Sequence, residues 1–475
     1  VRSSLRVLAL AAIPLVAVAC RRTPPGGACP VWTTARAGAC EKRPFVLPAA
    51  PVADVWAAYP LVAIDARGRG IVAFASAPGL GVAEETAAGA WTVRRPTAAL
   101  DGSSVLGALA AGPDGTAVVA WGQVEKGQGA GPVYLSERGP EGAWKDPSGP
   151  ADAISFPPWA YGPTIAVNAK GEWLVAWNQS MTTPNRGVAV ARRRSWSEPW
   201  QRPAGPDDVL SPRIFYCNMP VIALDDAGDA LVTWYQSVGG PLMALYSERR
   251  GADAAFVPAG LTGYLSAPGG AVDSDPYGDV KPVVFPDGSA AVAWTQEDGK
   301  GHTLVYLATR DKGGAWHRPA GLDDAFSIAQ GYARSVNLAA GPRGDLYVVW
   351  YQDAGFGNVV YAARRRPDGT WTEDGRHPVR LSTPGAAGIF PRVAVGPEGG
   401  VMVVWNEREG KAPMRVAARR TGGAGDPWGP IEVLSGAGPD DAVYPAVAVG
   451  PHDRAMVAWS GGPARAPRLF VARVE

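Results

Sequence analysis

Three arginines, Arg213, Arg334 and Arg392, stand near the starts of short apolar runs. A guanidinium is a planar fork that grips a carboxylate through paired hydrogen bonds, so three on one rim could form an anion site. An aromatic residue precedes most of the same runs within a few residues: Tyr59, Tyr161, Tyr216, Tyr277, Tyr332, Phe390 and Tyr444. Aromatic bodies with hydroxyl tips could take a carbohydrate or a protein surface. A third series, Gln123, Gln179, Gln236, Gln296, Gln352 and Glu407, follows a tryptophan or its equivalent by two residues. Each series also has a plain structural reading. A repeated amide near a strand end hydrogen-bonds a neighbouring backbone, because buried polar groups need partners. The aromatics then wall a rim, and the arginines fall there by chance.

Catalytic chemistry finds little support. The chain has four histidines, His302, His317, His377 and His452, spread over turns far apart in sequence. There is no HExxH, no GxSxG and no paired Cys/His spacing. Asp273, Asp275 and Asp279 make a local acidic cluster that could offer oxygen ligands to Ca²⁺. The cluster lacks the glycine-containing EF-hand spacing and reads as a solvated loop. Cys217 has no histidine near it in sequence and reads as a buried free thiol. Neither a metal nor a cofactor is expected.

The elements that must position these residues come from a repeat. A block of about 55 residues recurs, marked by an aromatic inside an apolar run: Phe74, Trp121, Trp177, Trp234, Trp294, Trp350, Trp405 and Trp459. A period of this size is the mark of a repeat architecture. Charged residues make up 19% of the chain, with 60 Gly, 45 Pro and 18 Trp, as expected of many short strands joined by tight turns. The formal net charge of +1 gives no basic footprint for nucleic acid. Short arginine runs at 192–194 and 364–366 read as solvated turn charges.

In the copy around Trp405, strand A is placed at Arg392–Val395, strand B at Val401–Asn406, strand C at Met414–Arg419 and strand D from near Trp428 to Leu434. Four antiparallel strands per repeat is the β-propeller pattern. The expected fold is all-β: an eight-bladed β-propeller over residues 43–475, with seven blades as the alternative. A second aromatic recurs in strand D: Trp91, Trp144, Trp196, Phe256, Trp316, Trp371 and Trp428. Both aromatic series read as packing between blades, since each ring buries roughly 150–250 Å². The last copy stops after strand C, and Phe45–Leu47 is expected to supply its missing outer strand and to remove an open edge.

The first residues, VRSSLRVLALAAIPLVAVAC, have a basic start, a short apolar stretch and small residues before Cys20. They read as a secretory signal over 1–19. Cys20 resembles the lipidated cysteine of a bacterial lipobox, with Ala17 where Leu is usual. Residues 20–42 would then be a lipid-bearing tether with a Cys29–Cys40 disulfide, permitted by an oxidising compartment. The implied location is the outer membrane, facing periplasm or cell surface, with plain secretion as the alternative.

Thr309, Asp311, Gly313 and Trp316 match the Asp-box of sialidase-like propellers, Ser-x-Asp-x-Gly-x-Thr-Trp, with Ala315 departing from Thr. The chain therefore resembles a distant Asp-box propeller. The resemblance implies a structural turn between strands C and D, on the face opposite that family's catalytic pocket. It does not bring the activity with it. The family uses three Arg, a Tyr nucleophile with a Glu partner and an Asp acid, on six blades, and the Tyr/Glu pair and Asp acid find no counterpart by motif. The expected function is a non-catalytic, monomeric envelope propeller that binds a protein or glycan through the rim carrying Tyr59, Tyr161, Arg213, Tyr216, Tyr277, Tyr332, Arg334, Phe390, Arg392 and Tyr444. The alternatives are a diverged sialidase-like hydrolase and a structural envelope component.

Overall fold

The computed structural model describes residues 31–474 except 37–38, 49, 54, 78, 87–89, 98–99, 101–102, 125–130, 182–185, 213–216, 238, 261, 274–279, 354, 356 and 437. The expected signal, Cys20 and Cys29 lie outside the described residues, and so do the expected lipidation and Cys29–Cys40 bridge. Among the described residues regular structure is strand, broken only by single-turn 3-10 segments such as Pro150–Asp152.

An antiparallel sheet recurs along the chain, its strands in sequence order. Ser103–Ala111, Ala117–Val124, Val133–Arg138 and the short Trp144–Lys145 form one such sheet. The first strands of successive sheets are Ala57–Ile64, Ser103–Ala111, Ala160–Val167, Cys217–Leu224, Lys281–Val284, Tyr332–Ala340, Ala386–Val395 and Ala442–Val449. Each lies against the next, and Ala442–Val449 lies against Ala57–Ile64. One parallel pair, Thr303 with Tyr332, links two neighbouring sheets.

The second strands are the apolar runs that carry the marker aromatics. Trp173–Ser180 is buried at every position. Each marker packs across to the preceding sheet. Trp121 clusters with Ile71 and Val82, Trp294 with Leu231 and Ala244, and Trp459 with Met402 and Val404. Phe74 clusters with Met456 and Ala458 of the last sheet. The hydrophobic core is thus a series of layers between sheets, which is why one large flat side chain is needed per repeat.

The Asp-box turn forms as expected between Thr303–Arg310 and Trp316–His317. The Ala315 amide donates to Asp311 Oδ1 at 2.9 Å, and Trp316 packs on Tyr246 of the preceding sheet, ring centroids 5.0 Å apart. In the GPEGG turn, Gly399 supplies φ 94°, a left-handed conformation open to glycine without steric penalty.

Three expectations need correction. Strand A of the Trp405 copy is not Arg392–Val395 but Ala386–Val395, and Tyr59, Tyr161, Tyr332, Phe390 and Tyr444 lie within their first strands rather than before them. Strand D of that copy is only Glu432–Val433. The arginine runs are not simply solvated. Arg193 reaches Glu137 of the neighbouring sheet at 2.7 Å, Arg192 binds Glu172 at 2.7 Å, and Arg364 is buried against Glu373. Arg194, half exposed beside Asp253, keeps the expected character. Related inter-sheet pairs join Arg138 to Asp65, Arg249 to Glu172 and Arg310 to Glu248.

At the chain ends, Phe45 and Val46 pair with Val474 and Arg473 of Arg468–Val474. Leu47 lies beyond that pairing and is exposed. Trp32 is buried in the layer holding Met402 and Trp459, and its indole donates to the Thr421 carbonyl at 2.9 Å.

Candidate functional site

The first strands share an irregularity that organises the candidate residues. In every first strand except Lys281–Val284, the pairing slips by a β-bulge, as between Ala58 and Leu61, or between Ile389 and Arg392. The bulge faces the marker aromatic: Ile389 pairs with Asn406 and Arg392 with Val404, leaving Phe390 and Pro391 opposite Trp405. In six of these seven strands the leading bulge residue is left-handed: Tyr59 (φ 50°), Gly162 (φ 58°), Met219 (φ 54°), Ser335 (φ 50°), Phe390 (φ 53°) and Tyr444 (φ 57°). For a non-glycine residue this conformation costs roughly 1–2 kcal/mol, so its recurrence requires support from the surroundings. A proline is the recurrent neighbour. Pro60, Pro163, Pro220, Pro391 and Pro445 follow the bulge residue. Proline disfavours the right-handed helical region for the residue before it, and it brings no N–H that the interrupted ladder would leave unmet.

Register divides the predicted rim into groups. Tyr59, Phe390 and Tyr444 are bulge residues. Tyr161 stands one position before its bulge residue, Gly162, and Tyr332 three positions before Ser335. Arg334 precedes Ser335, whereas Arg392 follows the Phe390–Pro391 bulge, so the two arginines occupy unlike positions. Arg213, Tyr216 and Tyr277 lie outside the described residues. The sequence reading missed Met219 and Ser335, for which the signal was position relative to the marker tryptophan, and Gly162, betrayed by the following proline.

Tyr59 and Tyr444 meet where the last first strand touches the first. Their ring centroids are 4.2 Å apart with planes tilted by 39°, and their hydroxyls are 3.4 Å apart. Tyr59 is 54% exposed, so a ring face and a hydroxyl pair are open to solvent. Tyr332 is equally exposed. Behind the bulges, side chains tie one first strand to the next sheet. Asn406 donates to the Ala442 carbonyl at 2.8 Å and accepts from the Tyr444 amide at 3.1 Å. Asn337 and Arg392 both donate to the Pro391 carbonyl at 3.1 Å.

The amide series has the plain role. Trp177 Nε1 donates to Gln179 Oε1 at 2.8 Å, and Gln179 Nε2 donates to the Phe156 and Trp159 carbonyls of the loop entering its sheet. The same latch joins Trp234 to Gln236, Trp294 to Gln296 and Trp350 to Gln352, each at 2.9 Å. Glu407 is the informative variant. It accepts from Trp405 Nε1 at 2.9 Å, from the Thr383 amide and hydroxyl at 3.1 and 2.8 Å, and from Arg415. A carboxylate stands where the loop offers donors instead of carbonyls. These groups are committed to the fold.

No described cluster of three or more His, Cys, Asp or Glu side chains could hold a metal. Asp275 and Asp279 lie outside the described residues. His302 pairs locally with Asp298 at 2.8 Å and His377 with Asp374 at 3.1 Å, while His452 reaches Glu398 in the turn of the preceding sheet at 3.1 Å. Cys217 is fully buried and free, and burial pushes its thiol up to about 12, far from a nucleophile's range.

No family model and no curated protein matches the chain. Among solved structures it is similar to polysaccharide lyase Uly1 (9% identity, TM-score 0.47, covering 75% of this chain and 87% of that one). It is also similar to the six-bladed fungal lectin of Aleuria aurantia (13%, 0.35, 65% and 93%) and to Hadza microbial sialidase Hz136 (13%, 0.35, 73% and 72%).

Proposed function

We propose that the chain is an eight-bladed β-propeller, closed by Phe45–Val46 on its last sheet, that binds a glycan or protein partner non-catalytically through the rim of first-strand bulges. In this reading it is exported and held at the bacterial envelope by lipid on Cys20. The observation that carries the binding role is the Tyr59–Tyr444 pair. Two aromatic rings with adjoining hydroxyls are presented to solvent on a backbone fixed by two bulges, and such preorganisation lowers the entropic penalty of capture. The unlike register of Arg334 and Arg392 speaks for binding over hydrolysis, since a converging arginine cluster is what the hydrolase reading needs. A glycan array probed with the full chain tests the glycan form: binding that falls in a Tyr59→Ala/Tyr444→Ala double variant supports it, and silence across all glycans sinks it.

A further inference from the structure

Away from the bulges, a cleft of about 290 Å³ opens between the second and third sheets. Leu135 and Ile154 give it apolar surface, and Trp200 forms a half-buried wall. The Arg192–Gln201 bridge puts Trp200 in the outer-strand place that Trp371, paired with Arg365, holds in the sixth sheet, where Trp196 was expected. Its indole N–H donates to Glu137 Oε1 at 2.7 Å, and Arg193 Nη1 donates to the same oxygen at 2.7 Å, so the ring is held in one orientation. Glu137 Oε2 makes no hydrogen bond within the described chain. Neither does Lys145 Nζ, and Arg202 uses only Nη1, toward the Ala153 carbonyl. The cleft therefore presents a fixed ring face, one open acceptor and two open cationic donors.

The lining carries three carboxylates (Glu137, Asp146 and Asp152) and three cations (Lys145, Arg193 and Arg202), so its formal charge is zero. The site is also placed by the repeat. A second cleft, between the fifth and sixth sheets, has Leu307, Asp324, Phe326 and Arg365 at the positions of Leu135, Asp152, Ile154 and Arg193. Leu135 and Leu307 each pair one residue before their marker tryptophan, and Arg193 and Arg365 each pair four before theirs. Thr309 replaces Glu137 there, so the half-buried carboxylate distinguishes the first cleft.

We infer that the cleft walled by Trp200 binds a neutral saccharide residue. A pyranose has an apolar C–H face to lie on an indole and an edge of hydroxyls that both donate and accept. Glu137 Oε2 would accept from one hydroxyl, and Lys145 and Arg202 would donate to others. A charged ligand would upset the balance of the lining. The inference is independent of the Tyr59–Tyr444 rim.

The test titrates the full chain with glucose, galactose, mannose and rhamnose, read by saturation-transfer NMR and calorimetry. Saturable binding of at least one sugar is expected, weakened about tenfold, equal to 1.4 kcal/mol, by Trp200→Ala and left intact by Tyr59→Ala/Tyr444→Ala. Arg202→Ala, a change at an exposed side chain, should weaken it too, and serves should Trp200→Ala not fold. Absence of saturable binding by all four sugars overturns the inference, as does binding insensitive to both cleft variants. Binding lost only in the tyrosine variant would assign the sugar to the rim and sink the cleft.

Discussion

Tyr59 and Tyr444, separated by most of the chain, meet as tilted rings with centroids 4.2 Å apart, each the left-handed residue of its own bulge. Exposed residues away from caps and cores usually change stability by no more than about 0.5 kcal/mol. Tyr59→Ala is therefore expected to leave the melting curve nearly in place while reducing partner capture. A large loss of stability in that single variant would mean that the pair is a structural seam rather than a binding surface.

The same bulge position predicts a gain at Ser335. Its φ is 50°, it is 1% exposed, and its hydroxyl has no hydrogen-bond partner. Gly162 fills the equivalent place in the third sheet with φ 58°. Ser335→Gly removes both the left-handed penalty and an unmet buried hydroxyl, and should stabilise by about 1 kcal/mol in urea unfolding. The backbone carbonyl that accepts from Asn337 is unchanged by the substitution. A destabilised Ser335→Gly would show that the strain has been misjudged.

Glu407→Gln should be destructive although glutamine fills this place in five other copies. An amide would turn donors toward the Thr383 amide and hydroxyl or lose the Arg415 pair, at 2.9 Å, in a fully buried position. Breaking such a site costs about 3–5 kcal/mol. The reciprocal Gln352→Glu would aim a carboxylate at the Ile328 and Gln330 carbonyls and should be as damaging. Wild-type stability in either variant would refute the donor-matching account of this series.

Asp65 sets an acid limit. Burial pushes its carboxyl up, but the Arg69 amide and the guanidinium groups of Arg138 and Arg69 outweigh this and hold it below the ordinary value of 3.8. Arg138 is itself fully buried, 3.0 Å from Asp65 Oδ2. A carboxyl lowered in the folded state binds its proton less readily than in the unfolded chain. Its stabilisation is full above 3.8 and is lost as pH falls through the folded value. Asp65→Asn should remove that share of the acid dependence and cost about 3–5 kcal/mol near neutrality, because it leaves a buried guanidinium short of a partner. A variant whose stability falls with acid as steeply as that of the wild type would exclude Asp65 as a contributor.

The layers between sheets were legible because packing repeats itself in sequence. Trp121, Trp177 and Trp234 fill the same gap and so recur at nearly one spacing. The bulges were not legible, because register depends on which residues pair. Tyr332 and Phe390 look alike as aromatics near a strand start, yet Phe390 is a bulge residue and Tyr332 lies three positions before one. Pro220 and Pro445, inside apolar first strands, held the clue, since proline cannot donate to a ladder and sits in sheets at edges or bulges. Consecutive arginines misled for a similar reason: Arg193 closes its strand and reaches Glu137 of the neighbouring sheet, whereas Arg194, just past the strand end, is half exposed beside Asp253. The cleft walled by Trp200 joins residues some 60 positions apart, and no local motif announces it.

The remaining prediction concerns the chain ends. Phe45 and Val46 add a strand to Arg468–Val474, the Arg420 guanidinium donates to the Arg43 carbonyl at 2.9 Å, and Arg43 donates to the His452 carbonyl at 3.0 Å. Trp32, 4% exposed, fills the layer between the last two sheets. If this segment closes the array, its loss frees an edge and should lower the melting of the whole domain in one transition, not in a separate early step. Deleting residues 41–50 tests the strand. Trp32→Ala tests the wedge and should cost about 3–5 kcal/mol by denaturant unfolding. A deletion that leaves the melting transition where it was would refute closure, whereas an early, partial transition would mean that the sheets are held as separable units.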